Sequence, residues 1–189
     1  MGADKAALQL GSVNLLDRAV STLEQVVDEV YVSSRARQAA DPVRRKYRVI
    51  ADQFHDVGPA AGLLAAHASF PASAWLVIAC DMPLLDAASL RYLRDGRDEQ
   101  SPATALTAVA GGAAEPLCAI YEPGTLAAFL RQVSAGENPS PRAWLAGIDT
   151  TLLVAPDPAV LVSANTTAEW TSMIENIELQ SDSANRKPQ

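Results

Sequence analysis

Trp75-Leu76-Val77-Ile78-Ala79 is an unbroken apolar run of strand length that leads straight into Cys80-Asp81-Met82-Pro83. With no polar residue at alternate positions, such a strand has no solvent face. It is expected to be a central strand covered on both faces, as in a parallel sheet. An acidic group next to apolar surroundings is costly unless a partner satisfies it. Asp81 can therefore be a metal ligand or a cap on a local turn, and the strand and carboxylate alone leave the two equally open.

The rest of the chain alternates strands and helices around that run. Asn14 is placed to cap a helix over residues 15–26, with Leu16, Ala19, Val20, Leu23 and Val27 on one face. Extended segments follow at 30–33 and 47–51, the second ended by Asp52. Gly58-Pro59 then opens an apolar helix over 60–68, where a proline in the first turn gives up a donor the helix does not need. Asp86 can cap a helix over 87–94. Strands are read at 103–109 and 115–121, helices at 125–133 and 142–145, and extended pieces at 151–155 and 161–163. Thr166-x-x-Glu169 forms a capping box for a last helix. This order predicts an α/β fold, a three-layer Rossmann-like, mostly parallel sheet with helices on both faces. Residues 1–180 read as one domain and 181–189 as a polar tail. The pattern opens on a helix, with only a short extended piece at 6–10 before it, so the strand and glycine-rich turn that usually begin such a domain are missing.

Composition narrows the function. A length of 189 residues, 49% of them hydrophobic and 20% charged, is ordinary for one globular domain. The net charge of −7 disfavours sequence-independent nucleic-acid binding, which needs a basic face. No apolar run is long enough for a bilayer, and no basic-then-apolar leader opens the chain, so a cytoplasmic location is expected, with no membrane or nucleic-acid partner. Cys80 and Cys118 are read as small buried hydrophobes. His55 and His67 have no partner at metal-ligand or triad spacing. Arg35 and Arg37 are read as solvated charges.

Ligands of open α/β sheets bind outside the carboxyl ends of the strands. Asp52 and Asp81 end strands there, and carboxylates at such a rim suit Mg²⁺. Gly58-Pro59-Ala60-Ala61-Gly62 allows close backbone approach at a helix N-terminus, or simply a tight turn. Asn165 is either a plain helix cap or an amide that reads a ligand.

Taken in order, Met1-Gly2-x-Asp4-Lys5, Leu15-Leu16-x-Arg18, Val30-Tyr31-Val32-Ser33, Ile50-x-Asp52, Gly58-Pro59-x-Ala61-Gly62, Cys80-Asp81-Met82-Pro83, Glu115-Pro116-Leu117 and Asn165-Thr166 resemble the molybdenum cofactor guanylyltransferase family. The resemblance implies transfer of a nucleoside monophosphate, from GTP or CTP, to the phosphate of a molybdopterin-type acceptor, with release of pyrophosphate. It implies Mg²⁺ held by Asp81, phosphate charge neutralised by Lys5, Ser33, Asp52 and Gly58 at the nucleotide, and Glu115, Pro116 and Asn165 on the acceptor side. Lys5 and Asp81 are the implied catalytic residues, in a monomer or weak homo-oligomer.

Three departures from the family pattern bear on this. The family's Met-Gly-x-x-Lys element ends a Leu-x-Gly-Gly-x-Ser-x-Arg loop after the first strand, and Met1 coincides with its methionine. A longer reading frame or a true truncation accounts for that, and a truncated, non-catalytic binding module is the alternative to an enzyme. Ser33 stands where guanine-specific members often carry Asn, which leaves a cytidylyltransferase open. Thr167 stands where the family usually has Pro. A lost central strand leaves backbone groups on its neighbours unpaired, at ~1–3 kcal/mol each, against a net stability of ~5–15 kcal/mol. The 189-residue chain is accordingly expected to fold poorly or bind nucleotide weakly. Thermal melts with and without Mg·GTP check this, and a cooperative transition raised by GTP would overturn it.

Overall fold

The computed structural model describes residues 4–35, 38, 41–54, 56–137 and 140–163. The chain enters through a single 3₁₀ turn, Lys5–Ala7, and a minimal antiparallel hairpin, β1 (Gln9–Leu10) with β2 (Val13–Asn14). Of the extended piece expected at 6–10, Leu8 to Leu10 is extended, while Ala6 and Ala7 belong to the turn, because the Asp4 carboxylate caps the Ala6 N–H and tightens the backbone. Asn14 caps helix α1 (Leu15–Leu23), its Oδ1 accepting from the Asp17 N–H at 2.8 Å. The helix ends three residues earlier than expected. The Val26 N–H turns back to the Leu23 carbonyl, and Val26 is buried by that tightened turn.

Strands β3 (Val32–Arg35) and β4 (Val49–Asp52) pair in parallel, with Val32 opposite Val49 and Arg35 opposite Asp52. Helix α2 (Ala60–Ser69) follows. Ala60, Ala61, Leu63, Leu64, Ala65 and Ala66 are all buried, and the helix packs on β3, β4 and a later helix. Gly62 makes the α2–β3 approach possible, since a Cβ there would lie 2.7 Å from Ser33 Oγ and 3.2 Å from Ser33 Cβ.

Strand β5 (Trp75–Ile78), helix α3 (Ala87–Asp95), β6 (Ala103–Thr107), β7 (Cys118–Tyr121), α4 (Pro123–Ser134), α5 (Pro141–Ala146) and β8 (Thr150–Val154) complete the frame. They form a second sheet in the order β5-β7-β6-β8, in which β7 runs antiparallel to both neighbours and β8 parallel to β6. The two-residue period of β6 and β7 builds both cores. Leu106, Cys118 and Ile120 pack with Leu90 and Leu93 of α3. Ala103, Ala105, Ala119 and Tyr121 pack with Leu63 and Leu64 of α2, Phe129 of α4 and Leu145 of α5. Helices therefore cover both faces, and the expected three-layer α/β architecture is present.

Two expectations need correction. All four residues of β5 are only half-buried, whereas every residue of β6 and β7 is buried. β5 pairs with β7 on one side. On the other it faces a cleft of about 510 Å³ whose opposite wall includes Ser33 and Ser34 of β3. The second correction is at Leu161, which ends the 3₁₀ turn Pro158–Leu161 capped by Asp157, whereas Val162 after it has an extended backbone. The expected last helix and tail lie outside the described residues. Among the described residues no helix is long and apolar enough to cross a membrane.

Gly62→Ala sets two effects against each other: alanine favours a helix by ~1 kcal/mol, and overpacking costs ~1–3 kcal/mol. A net loss is expected in urea denaturation. It should vanish or reverse when Ser33→Ala removes the hydroxyl that the new methyl meets.

Candidate functional site

The turn that follows β5 carries Asp81 to the end of the strand, and the entry turn brings Lys5 to meet it. Lys5 Nζ lies 2.6 Å from Asp81 Oδ2. Both side chains retain solvent contact, 32% for Lys5 and 17% for Asp81, so a ligand can reach the pair. The sequence left Asp81 open between cap and ligand, and the structure joins its carboxylate to a cation from the far end of the chain. Arg18 of α1 steadies the same turn, its Nε donating to the Pro83 carbonyl at 2.7 Å.

Three other expected residues share the cleft beside β5, which neither Lys5 nor Asp81 lines. Ser33, Asp52 and Gly58 all line it. Asp52 sits at the last position of β4 and accepts from the Phe54 N–H, which fixes the start of the next loop. Gly58 has a φ of +58°, a conformation that glycine adopts without steric cost. Tyr31, Phe70 and Trp75 also line the cleft and cluster with ring centroids 5.2 to 5.9 Å apart.

The acceptor-side residues stand differently. Glu115 Oε2 meets Arg142 Nη2 at 3.1 Å. Pro116 is buried, and its carbonyl accepts from the Tyr121 hydroxyl at 2.8 Å. Asn165 lies outside the described residues. Burial pushes the Cys80 thiol up to about 11, helped by the negative charges of Asp81 and Asp4, and burial pushes Cys118 up to about 12. Both shifts favour the neutral thiol; Cys118 is buried as expected, whereas Cys80 is half-buried. Among the described residues no group of three or more His, Cys, Asp or Glu could hold a metal ion alone.

Sequence reading missed the residues that hold the entry turn. Arg44 is buried and donates to both oxygens of Asp4, at 2.6 and 2.9 Å. That hydrogen bond holds the Asp4 carboxyl below its usual range. Lys46 Nζ and Tyr47 Oη both bind the Asp17 carboxylate of α1, at 2.7 and 2.6 Å. Arg44 and Lys46 fall between the segments read as extended at 30–33 and 47–51, and no periodicity marks which of the charges there turn inward.

The family described as "MobA-like NTP transferase domain" matches residues 1–151 of the 189. The chain belongs to that family. A probable molybdenum cofactor guanylyltransferase of Pelotomaculum thermopropionicum is 30% identical to this NTP transferase domain over 135 residues, 71% of this chain and 63% of that protein. A molybdenum cofactor biosynthesis bifunctional protein of Synechocystis is 27% identical over 72% of the chain and 39% of its own length. The chain thus spans less than two thirds of these relatives. A probable molybdenum cofactor guanylyltransferase of Synechococcus elongatus is 28% identical over 92% of the chain and 91% of that protein. The solved molybdopterin-guanine dinucleotide biosynthesis protein A of Archaeoglobus fulgidus superposes with a TM-score of 0.76 at 19% identity, over 94% and 92% of the two chains. At that identity the likeness establishes the Rossmann-like fold of the NTP transferase domain and nothing finer.

The Lys5–Asp81 pair is solvent-accessible, and such pairs contribute ~0–1 kcal/mol. Asp81→Asn is therefore expected to lower the melting temperature of the NTP transferase domain by no more than ~2–4 °C. A larger fall in a thermal melt would mark Asp81 as a structural residue.

Proposed function

We propose that this chain transfers a nucleoside monophosphate, GMP from GTP, to the phosphate of a molybdopterin-type acceptor. An acceptor phosphate oxygen attacks the α-phosphorus of the nucleotide, the bond from that phosphorus to the bridging oxygen breaks, and pyrophosphate leaves. The observation that carries this reading is the accessible Lys5–Asp81 pair at the end of β5, in a chain of the MobA-like NTP transferase family.

Lys5 supplies a positive point charge for phosphate oxygens and exchanges Asp81 for them when nucleotide binds. Asp81 is thereby released as an oxygen ligand. One carboxylate fits Mg²⁺, which is commonly held by one or two carboxylates together with substrate phosphates and keeps several waters. When bound, Mg²⁺ would offset the negative charge of the triphosphate and of the leaving pyrophosphate. The chain's own groups orient the two anionic substrates and neutralise charge, and such positioning and electrostatics supply most of the rate in phosphate-transfer chemistry. Ser33, Asp52 and Gly58 on the cleft wall would contact the nucleotide. Glu115, Pro116 and Asn165 would face the acceptor.

Ser33 favours a second reading on the base, because its short hydroxyl already lies against Gly62 and carries no amide to pair with guanine. In that reading CTP is the donor. Pyrophosphate release, measured with Mg²⁺, a molybdopterin acceptor and millimolar GTP or CTP in parallel, distinguishes the two. Acceptor-dependent release from GTP, lost in Asp81→Ala, is expected. Release from CTP alone would transfer the reading to a cytidylyltransferase. No release from either, with Asp81→Ala unchanged, would leave a non-catalytic binding module.

A further inference from the structure

We infer that Arg44 is a positioning residue for Lys5, acting through Asp4; the inference rests on the reading of Lys5 as the phosphate-neutralising group. Arg44 lies thirty-nine residues after Lys5, in the segment between β3 and β4, and its side chain is only 9% exposed. A local turn aims it. Asp41 Oδ1 accepts from the backbone N–H groups of Val43 and Arg44 at 2.9 and 3.0 Å, and the Tyr47 N–H returns to the Arg44 carbonyl at 2.9 Å. Nη1 of the guanidinium is then shared between Asp41 and Asp4, and Nη2 makes a second bond to Asp4.

Asp4 does two things at once. It receives the Arg44 fork, and its Oδ1 caps the Ala6 N–H at 3.1 Å, which starts the turn that contains Lys5. Ala6 is 3% exposed and packs with Leu16, Val20 and Val32. Lys5 is therefore flanked by two fixed points, an ion-paired residue before it and a core residue after it. A planar fork matched to a carboxylate fixes direction as well as distance, which a lysine ammonium does not. Without Arg44, the carboxylates of Asp4 and Asp41 lose their shared cation, and Asp4 becomes a rival anion for the adjacent Lys5. The Lys5 ammonium would then sample Asp4 instead of the end of β5.

The test is a double-mutant cycle between Arg44→Lys and Lys5→Ala in the whole chain, read by pyrophosphate release and, independently, by equilibrium binding of GTP. Arg44→Lys keeps the charge and loses the fork. Misplacing a catalytic group by about 1 Å costs up to ~100-fold, so Arg44→Lys should lower kcat by roughly 10- to 100-fold and weaken GTP binding. Arg44→Lys combined with Lys5→Ala should be no worse than Lys5→Ala alone, because groups acting as a unit are not additive. Asp4→Asn, which keeps a cap and loses the ion pair, should reproduce the Arg44→Lys loss should that variant fold poorly. Arg48→Lys, on the exposed Arg48–Glu29 pair of the same segment, should leave both readouts unchanged. Losses that multiply in the double variant would show that Arg44, which also lines the cleft, acts independently of Lys5, and would overturn the inference. Full activity and GTP affinity in Lys5→Ala would instead overturn the reading of Lys5, and this inference with it.

Discussion

The pair between Lys5 and Asp81 ties the first described turn of the chain to the end of β5. The cleft that Ser33, Asp52 and Gly58 line includes neither member of the pair, which stands at the end of the strand instead. The protein carries a net charge of −7, so a triphosphate approaches against a repulsive field and needs local cations to hold it. In the proposed reading Lys5 is that cation, carried on a turn of three residues whose entry is held by the Asp4 cap and the Arg44 fork. Arg18 secures the other partner by gripping the Pro83 carbonyl next to the Asp81 turn.

A second constraint comes from the division of the sheet. β3 and β4 form a parallel pair, β5 begins a separate four-stranded sheet, and the two face each other across the cleft. α2 bridges the division, contacting β3 and β4 and also α4 of the other unit's core. Gly62 lets it sit close enough to β3 for Ser33 to fill the contact. The nucleotide-facing residues proposed here, Ser33, Asp52 and Gly58, owe their shared wall to that bridge.

Much of the fold was legible because local chemistry and tertiary structure agree. Asn14 and Asp86 cap the helices they were expected to cap, and the periodic apolar stretches became α1 to α4. β5 was located correctly, but its surroundings were not. A run of five apolar residues has the same composition whether it is sealed on every side or opens on a cleft, so pattern alone cannot separate the two. The 3₁₀ turn at Pro158–Leu161 was missed because Asp157 caps it over too few residues to leave a period.

The site was legible in part for a similar reason. Lys5, Asp52 and Asp81 emerged from family resemblance and strand ends, each in its own neighbourhood. Arg44 did not, because its role depends on a contact forty residues away with Asp4, and in sequence it is one of several charges in a row. Asp17, Lys46 and Tyr47 form a network of the same kind between α1 and that segment. Long-range ion pairs leave no spacing signature, so they surface only when the chain is folded.

The most direct test of Lys5 and Asp81 as the triphosphate site is the position of the metal itself. In crystals grown with GTP and Mn²⁺ in place of Mg²⁺, the anomalous signal of manganese should fall within coordination distance, about 2.0–2.2 Å, of an Asp81 carboxylate oxygen. Lys5 Nζ should have left Asp81 for a phosphate oxygen. Nucleotide and manganese bound elsewhere, with the 2.6 Å pair between Lys5 and Asp81 intact, would contradict the account.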